Sequence, residues 1–316
     1  MIYAMPASPD GHLVPLSSRR SLLAFGAAAL GSFVLSGCAA DGSSESSLAP
    51  ANSAPSVHPA PAPASPAASS TGAVAPGDGA PEFLDRDKAI DMFKGRAAGS
   101  FGLEVPGIQL GLPEGAKFAA LTFDACGGPR GSAVDTALLS TLRAHRAPAT
   151  LFINQRWARA NPGLMKELVA DPLFEIANHG TLHAPLCIAG QKAYGIPGTA
   201  SVGSAYDEVM ENQRYMAGEF GVDARFFRSG TAHMDEAGAA LCRALGIVPM
   251  NFTRNLDAGA TFAASAVASQ VKLLKSGDVG IGHFNQPGSG TAAGVRAGLG
   301  PLLDSGIKLA TLSQGF

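Results

Sequence analysis

From Lys117 onward, short apolar runs alternate with longer segments of helical periodicity. The runs are Phe118 to Phe123, Ala149 to Ile153, Phe174 to Ala177, Arg225 to Phe227, Ile247 to Phe252, Asp278 to Gly282 and Ile307 to Leu312. They are brief and rich in β-branched or aromatic residues, as strands buried on both faces are. Helices are expected over residues 133 to 145, 162 to 170, Ser204 to Phe220, 235 to 245, 262 to 275 and 291 to 304. Gly221, Gly246, Gly277 and Gly306 stand just past four of these segments, where helices stop. Strand and helix in alternation predict an α/β fold with a parallel sheet, which can stay open or close into a barrel.

The 316 residues carry a formal charge of −2, and 46% are hydrophobic, enough for one sizeable domain with appendages or for two small ones. No Lys/Arg stripe stands out, which argues against a nucleic-acid partner. The start of the chain reads as a targeting segment. Ser18-Arg19-Arg20-Ser21-Leu22-Leu23 resembles a twin-arginine export signal, an apolar run follows to Leu35, and Leu35-Ser36-Gly37-Cys38 resembles a lipoprotein acylation site. An ordinary secretory signal with an incidental cysteine is the alternative, but the paired arginines, apolar run and small-residue cysteine site stand in the order that lipidation requires. Residues 1 to 38 are thus expected as signal, with Cys38 lipidated. Residues 39 to 100 are expected as an Ala/Pro/Ser-rich linker, largely disordered, and 101 to 316 as the folded domain. The expected location is the cell envelope, anchored by lipid, or the exterior. Cys126, Cys187 and Cys242 remain in the domain, an odd number for an oxidising compartment.

In parallel α/β folds, chemistry collects at the carboxyl ends of strands. Asp124 follows the first run, His179 and His183 the third, Arg228 the fourth, Asp257 the fifth and His283 the sixth. A carboxylate at the end of a buried strand is costly unless paired, and Asp124, in the stretch LTFDACGG, needs such a partner. His179-Gly180-Thr181-Leu182-His183 spaces two imidazoles so that a helical turn would let them share a cation.

In that order, LTFDACGG, NHGTLH, FFRSGT, NLDAG and GIGHF resemble the polysaccharide deacetylase family of NodB type, carbohydrate esterase family 4-like, over about residues 115 to 316. The resemblance implies a distorted (β/α)7-type barrel and hydrolysis of N-acetyl groups on an envelope or extracellular polysaccharide. Asp124 matches the catalytic base. Arg228 matches the residue that orients it, His283 the general acid, and Asp257 that acid's support. His179 and His183 match two ligands of a divalent metal, expected to be zinc. Ala125 occupies the place of a further carboxylate ligand, so Asp124 is expected as shared ligand and base. Cys126 is the alternative donor, unless it forms a disulfide with Cys187. Thr231, Asn154 and Trp157 are expected substrate contacts. The expected partners are N-acetylated polysaccharide and, through the lipid anchor, a membrane, with the chain a monomer. An inactive glycan-binding lipoprotein and an O-acetyl esterase are the alternatives.

Overall fold

The computed structural model describes residues 84–316. The signal segment, Cys38 and the linker up to residue 83 lie outside the described residues. The rest of the expected linker is folded, which shortens it by its last 17 positions, 84 to 100. Helix α1 (Arg86–Met92) is capped by the Asp85 side chain, which accepts from Asp87 N at 2.9 Å. Ala89 and Phe93, one helical turn apart, are buried beside Tyr206, Val209 and Met210. These two carry the contact, while Met92, on another face of the helix, is exposed.

Among the described residues, twelve strands and eight further α-helices follow α1 as β1 (Phe101–Gly102), β2 (Phe118–Ala125), α2 (Thr136–Ala144), β3 (Ala149–Ile153), α3 (Gln155–Ala160), α4 (Pro162–Ala170), β4 (Phe174–Asn178), β5 (Lys192–Ala193), β6 (Ile196–Pro197), α5 (Val202–Phe220), β7 (Phe226–Phe227), β8 (Met234–Asp235), α6 (Glu236–Ala244), β9 (Val248–Pro249), β10 (Arg254–Asn255), α7 (Ala264–Lys272), β11 (Val279–His283), α8 (Thr291–Asp304), β12 (Lys308–Ala310) and α9 (Leu312–Gly315). The main sheet runs β10-β11-β2-β3-β4-β7-β9, with β12 paired to the start of β2. Every pairing in it is parallel. Its outermost strands, β9 and β10, do not pair, so the sheet is a curled half-barrel. The segment before β2 bonds to both sides of that gap. Gln109 N donates to Pro249 O at 2.8 Å, and Leu112 N to Gly277 O at 2.9 Å.

The expected parallel α/β architecture is present, with one strand more than the seven runs. The run Ile247 to Phe252 yields only β9, after which the chain turns and forms β10 against β11. Leu312 opens α9 instead of ending the last strand. Helix α5 starts earlier than expected, because Ser201 and Ser204 cap each other's backbone in a capping box.

Alternation along β2 sets the site. Ala119, Leu121, Phe123 and Ala125 pack outward against leucines and valines of α2, α7 and α8. Ala120 faces inward with Phe152, Ala177, Phe226, Met250 and Val279. Side chains alternate along a strand, so Asp124 shares Ala120's inward face. The charge therefore points into the mouth of the half-barrel.

Candidate active site

Asp124 is 3% exposed and Arg228 is fully buried, at the ends of β2 and β7. Asp124 Oδ1 accepts from Arg228 Nη1 at 2.7 Å. Arg228 also donates to the carbonyls of Met250 at 3.2 Å and Asn251 at 2.9 Å, and stacks 4.0 Å above the Phe152 ring. Every group of the guanidinium thus has a partner, the condition under which a buried ion pair persists. Burial pushes the Asp124 carboxyl up, but Arg228, His179 and His283 outweigh it and hold it below the ordinary value.

His179 follows β4. Its Nδ1 lies 2.9 Å from Arg228 O, an acceptor only, so Nδ1 carries the proton and Nε2 presents a lone pair to the cleft. The chain then turns at Gly180, where φ is +78° and a Cβ would run into Glu208. Glu208, from α5, accepts from Leu182 N at 2.9 Å and Ala184 N at 3.0 Å, clamping the turn that carries His183. Burial pushes the Glu208 carboxyl up to about 7 against those hydrogen bonds. The turn brings the two imidazoles to a centroid separation of 4.9 Å with planes at 86°.

Cys126 reaches the same place. Its Sγ is 3.8 Å from His179 Nε2. One donor atom each from Cys126, His179 and His183 lies within 4.8 Å of the others, a group that does not include Asp124. Asp124 Oδ2 is 3.7 Å from His179 Nε2, while its other oxygen is taken by Arg228. The donor atom gathered with the two imidazoles is thus that of Cys126, the alternative donor, with Asp124 beside His179. A thiol and two imidazoles are a donor set that suits a divalent transition metal. Burial pushes the Cys126 thiol up, but the neighbouring imidazoles of His179, His183 and His283 prevail and hold it well below its ordinary value.

Cys126 and Cys187, the possible disulfide pair, are both free, as is Cys242. Cys187 is turned into its own loop, where Sγ meets Thr199 O at 2.9 Å. Asn154 and Trp157 are corrected as substrate contacts too, since both are fully buried. Asn154 Nδ2 donates to His179 O at 3.0 Å and Gly180 O at 2.8 Å. Trp157 Nε1 donates to Ala133 O at 3.1 Å, and the indole packs edge-on against Phe284. They hold the histidine turn and the loop after β2 from behind.

Opposite the imidazoles, His283 ends β11 in register with Asp124 on β2. Its Nδ1 pairs with Asp257 Oδ1 at 3.0 Å. The other Asp257 oxygen accepts from His283 N at 2.7 Å and Thr291 Oγ1 at 2.9 Å. Burial lowers the imidazole's proton affinity, but Asp257, with Cys126 adding to it, raises it well above the ordinary value.

These groups floor one cleft of about 400 Å³, walled by Leu103, Tyr194, Thr231, Phe252 and Asn255. Thr231 lines it at φ 64°, with its buried Oγ1 unpartnered. Tyr194 and Glu208 had no signal at strand ends, and Phe252, though it closes an expected strand run, was not singled out. Tyr194 sits on a hairpin of two-residue strands, and Glu208 is a lone acid on the buried side of a helix.

Residues 112–250 match the family described as Polysaccharide deacetylase. No curated protein matches the chain. Among solved structures, a CE4-family pseudoenzyme from Bacillus anthracis aligns with a TM-score of 0.54 at 17% identity, covering 67% of this chain and 69% of its own. A peptidoglycan N-acetylglucosamine deacetylase aligns with a TM-score of 0.55 at 18% identity, covering 66% and 92%. A family 4 carbohydrate esterase from Streptomyces lividans, in complex with acetate, aligns at 0.51 with 23% identity, covering 63% and 95%. At these identities the likeness speaks to the fold.

Proposed function

Proceeding from a chain whose residues 112–250 belong to the polysaccharide deacetylase family, we propose that it is a metal-dependent hydrolase that removes N-acetyl groups from an envelope or extracellular polysaccharide. The observation that carries this reading is one cleft in which an Arg-clamped carboxylate and an Asp-clamped imidazole face a cluster of cation donors.

An acetamide is a poor electrophile with a poor leaving group, so its hydrolysis needs an activated water and a proton for the departing amine. Asp124, ionised and fixed by Arg228, accepts the proton of the attacking water. His283, protonated and oriented by Asp257, gives its proton to the amine nitrogen. Asp257, itself held by Thr291, fixes the imidazole through Nδ1, so its Nε2 is left for the cleft. A divalent cation held on His179 and His183, expected to be zinc, supplies Lewis-acid polarisation of the acetyl oxygen when bound. Acetate release from N-acetylglucosamine oligomers by chelator-stripped and zinc-reloaded protein tests the reading. Release that depends on zinc supports it; no release from either form contradicts it.

Ala125 favours a second reading, because it offers no ligand where the family resemblance places a carboxylate. On that reading the chain binds acetylated glycan without cleaving it, and oligomer binding without acetate release is its signature. Both readings take the chain to be exported and held at a membrane by an acylated Cys38, supported by the paired arginines, the apolar run and the small-residue cysteine site. Cys38→Ser should then move the protein from the membrane to the soluble fraction. An unchanged distribution contradicts the anchor.

A further inference from the structure

Resting on that reading of the cleft, we propose that Cys126 is the third ligand of its cation, making a Cys–His–His centre that selects zinc-like metals over hard oxygen-seeking ones. Three observations carry this. First, the alternation of β2 turns Ala125 into the helix layer, where it is buried among outer-core residues, and position 126 comes back to the cleft side. A ligand two residues beyond Asp124 can therefore reach the imidazoles without displacing Asp124 from Arg228. Second, ligands at ordinary zinc–sulfur and zinc–nitrogen distances in a tetrahedron lie about 3.6 Å apart, and Cys126 Sγ lies 3.8 Å from His179 Nε2. Third, His179 is already oriented as a ligand, with Nδ1 tied to the Arg228 carbonyl and Nε2 turned to the thiol. On binding, the thiol gives its proton to solvent and sulfur donates to the metal, with no redox step. Thiolate ligation favours zinc or cobalt over magnesium or calcium. It also leaves the fourth position for water and Asp124 for proton transfer.

The test is a cobalt titration of the chelator-stripped full chain, read by absorbance. One equivalent of Co²⁺ should produce a near-ultraviolet sulfur-to-cobalt charge-transfer band. Cys126→Ser should abolish the band and weaken binding at least tenfold. Cys126→Asp should restore binding without the band, and Cys187→Ser should keep it. A band that persists in Cys126→Ser overturns the proposal, as does cobalt bound without any band. So does an S-acetyl adduct on Cys126 in mass spectra after substrate exposure, which would make the thiol a nucleophile. Acetate release, measured in parallel, separates the two readings. A band without acetate sinks the deacetylase and keeps the ligand; acetate without a band does the reverse.

A separate observation supports a second inference, that Tyr194 is the stacking face for a sugar at the mouth of the cleft. Its ring lines the cleft while 79% exposed, braced edge-on at 5.3 Å by His233. Tyr194 and Gly195 join β5 to β6 with φ values of 51° and 77°, a turn that ordinarily takes Asn-Gly. A bulky ring there gains nothing from burial, whereas an apolar face beside a glycan groove can stack on a pyranose. Calorimetry with N-acetylglucosamine oligomers should show affinity falling about tenfold in Tyr194→Ala and recovering in Tyr194→Phe, with any kinetic loss appearing in KM. Unchanged affinity in Tyr194→Ala, or a loss confined to kcat, overturns it.

Discussion

Two buried carboxylates, Asp124 and Asp257, each hold a cationic partner at the mouth of the half-barrel, and the partners differ. Asp124 grips a guanidinium that is fully enclosed and saturated with hydrogen bonds. Asp257 grips an imidazole whose side chain stays 16% exposed to the cleft. A guanidinium does not release a proton at any working pH, whereas an imidazole does. The first pair therefore keeps a carboxylate ionised, and the second keeps a proton ready to leave. Because β2 and β11 are register partners, the carboxylate and the imidazole stand side by side.

Breaking the enclosed pair should cost most. Arg228→Met leaves Asp124 buried without a counter-charge, and should destabilise the fold by about 3–5 kcal/mol in denaturant titrations. A loss below about 1 kcal/mol would mean that water already reaches the pair. Asp124→Asn keeps the shape and should lower amide turnover about a thousandfold, with a much smaller effect on melting. His283→Ala should lower amide hydrolysis about a hundredfold and spare ester hydrolysis, whose leaving group needs less proton assistance. Equal losses on both substrates would count against the imidazole as proton donor. Glu208→Gln puts an amide donor toward backbone N–H groups that now face a carboxylate, and should cost about 1–3 kcal/mol and weaken zinc binding. The gentlest probe is pH. Asp124 must be ionised, so activity rises with pH through its lowered value. His283 must be protonated, so activity falls as pH passes its raised value. The plateau should extend above the ordinary imidazole range of about 6.5; an alkaline limb at or below it would show that Asp257 does not hold the proton.

What the sequence made legible follows from strand geometry. Strand ends are marked by apolar runs, so Asp124, His179, Arg228 and His283 could be placed at one rim from their order alone. That Asp124 needs a partner was legible because a buried charge demands one; that the partner is Arg228 came from the family resemblance. Side-chain direction beyond the strand end was not. Asn154 and Trp157 follow a strand as the site residues do, yet both turn back into the protein and are fully buried. Cys126 and Cys187 occupy loops after β2 and β4, which flank β3, but the Cys187 loop closes on Thr199 and takes its thiol away from the rim. Glu208 acts from a helix on the loop that it faces, a contact between segments that no local pattern encodes.

The central claim is that the Asp124 and His283 pairs act on one acetyl group in one cleft. The most direct measurement is acetate released from N-acetylglucosamine oligomers by zinc-loaded wild type, Asp124→Asn and His283→Ala, each confirmed folded and metal-bound. The account predicts stoichiometric acetate from wild type and near-complete loss in both variants. Acetate undiminished in either variant, or none from folded, zinc-loaded wild type, would contradict it.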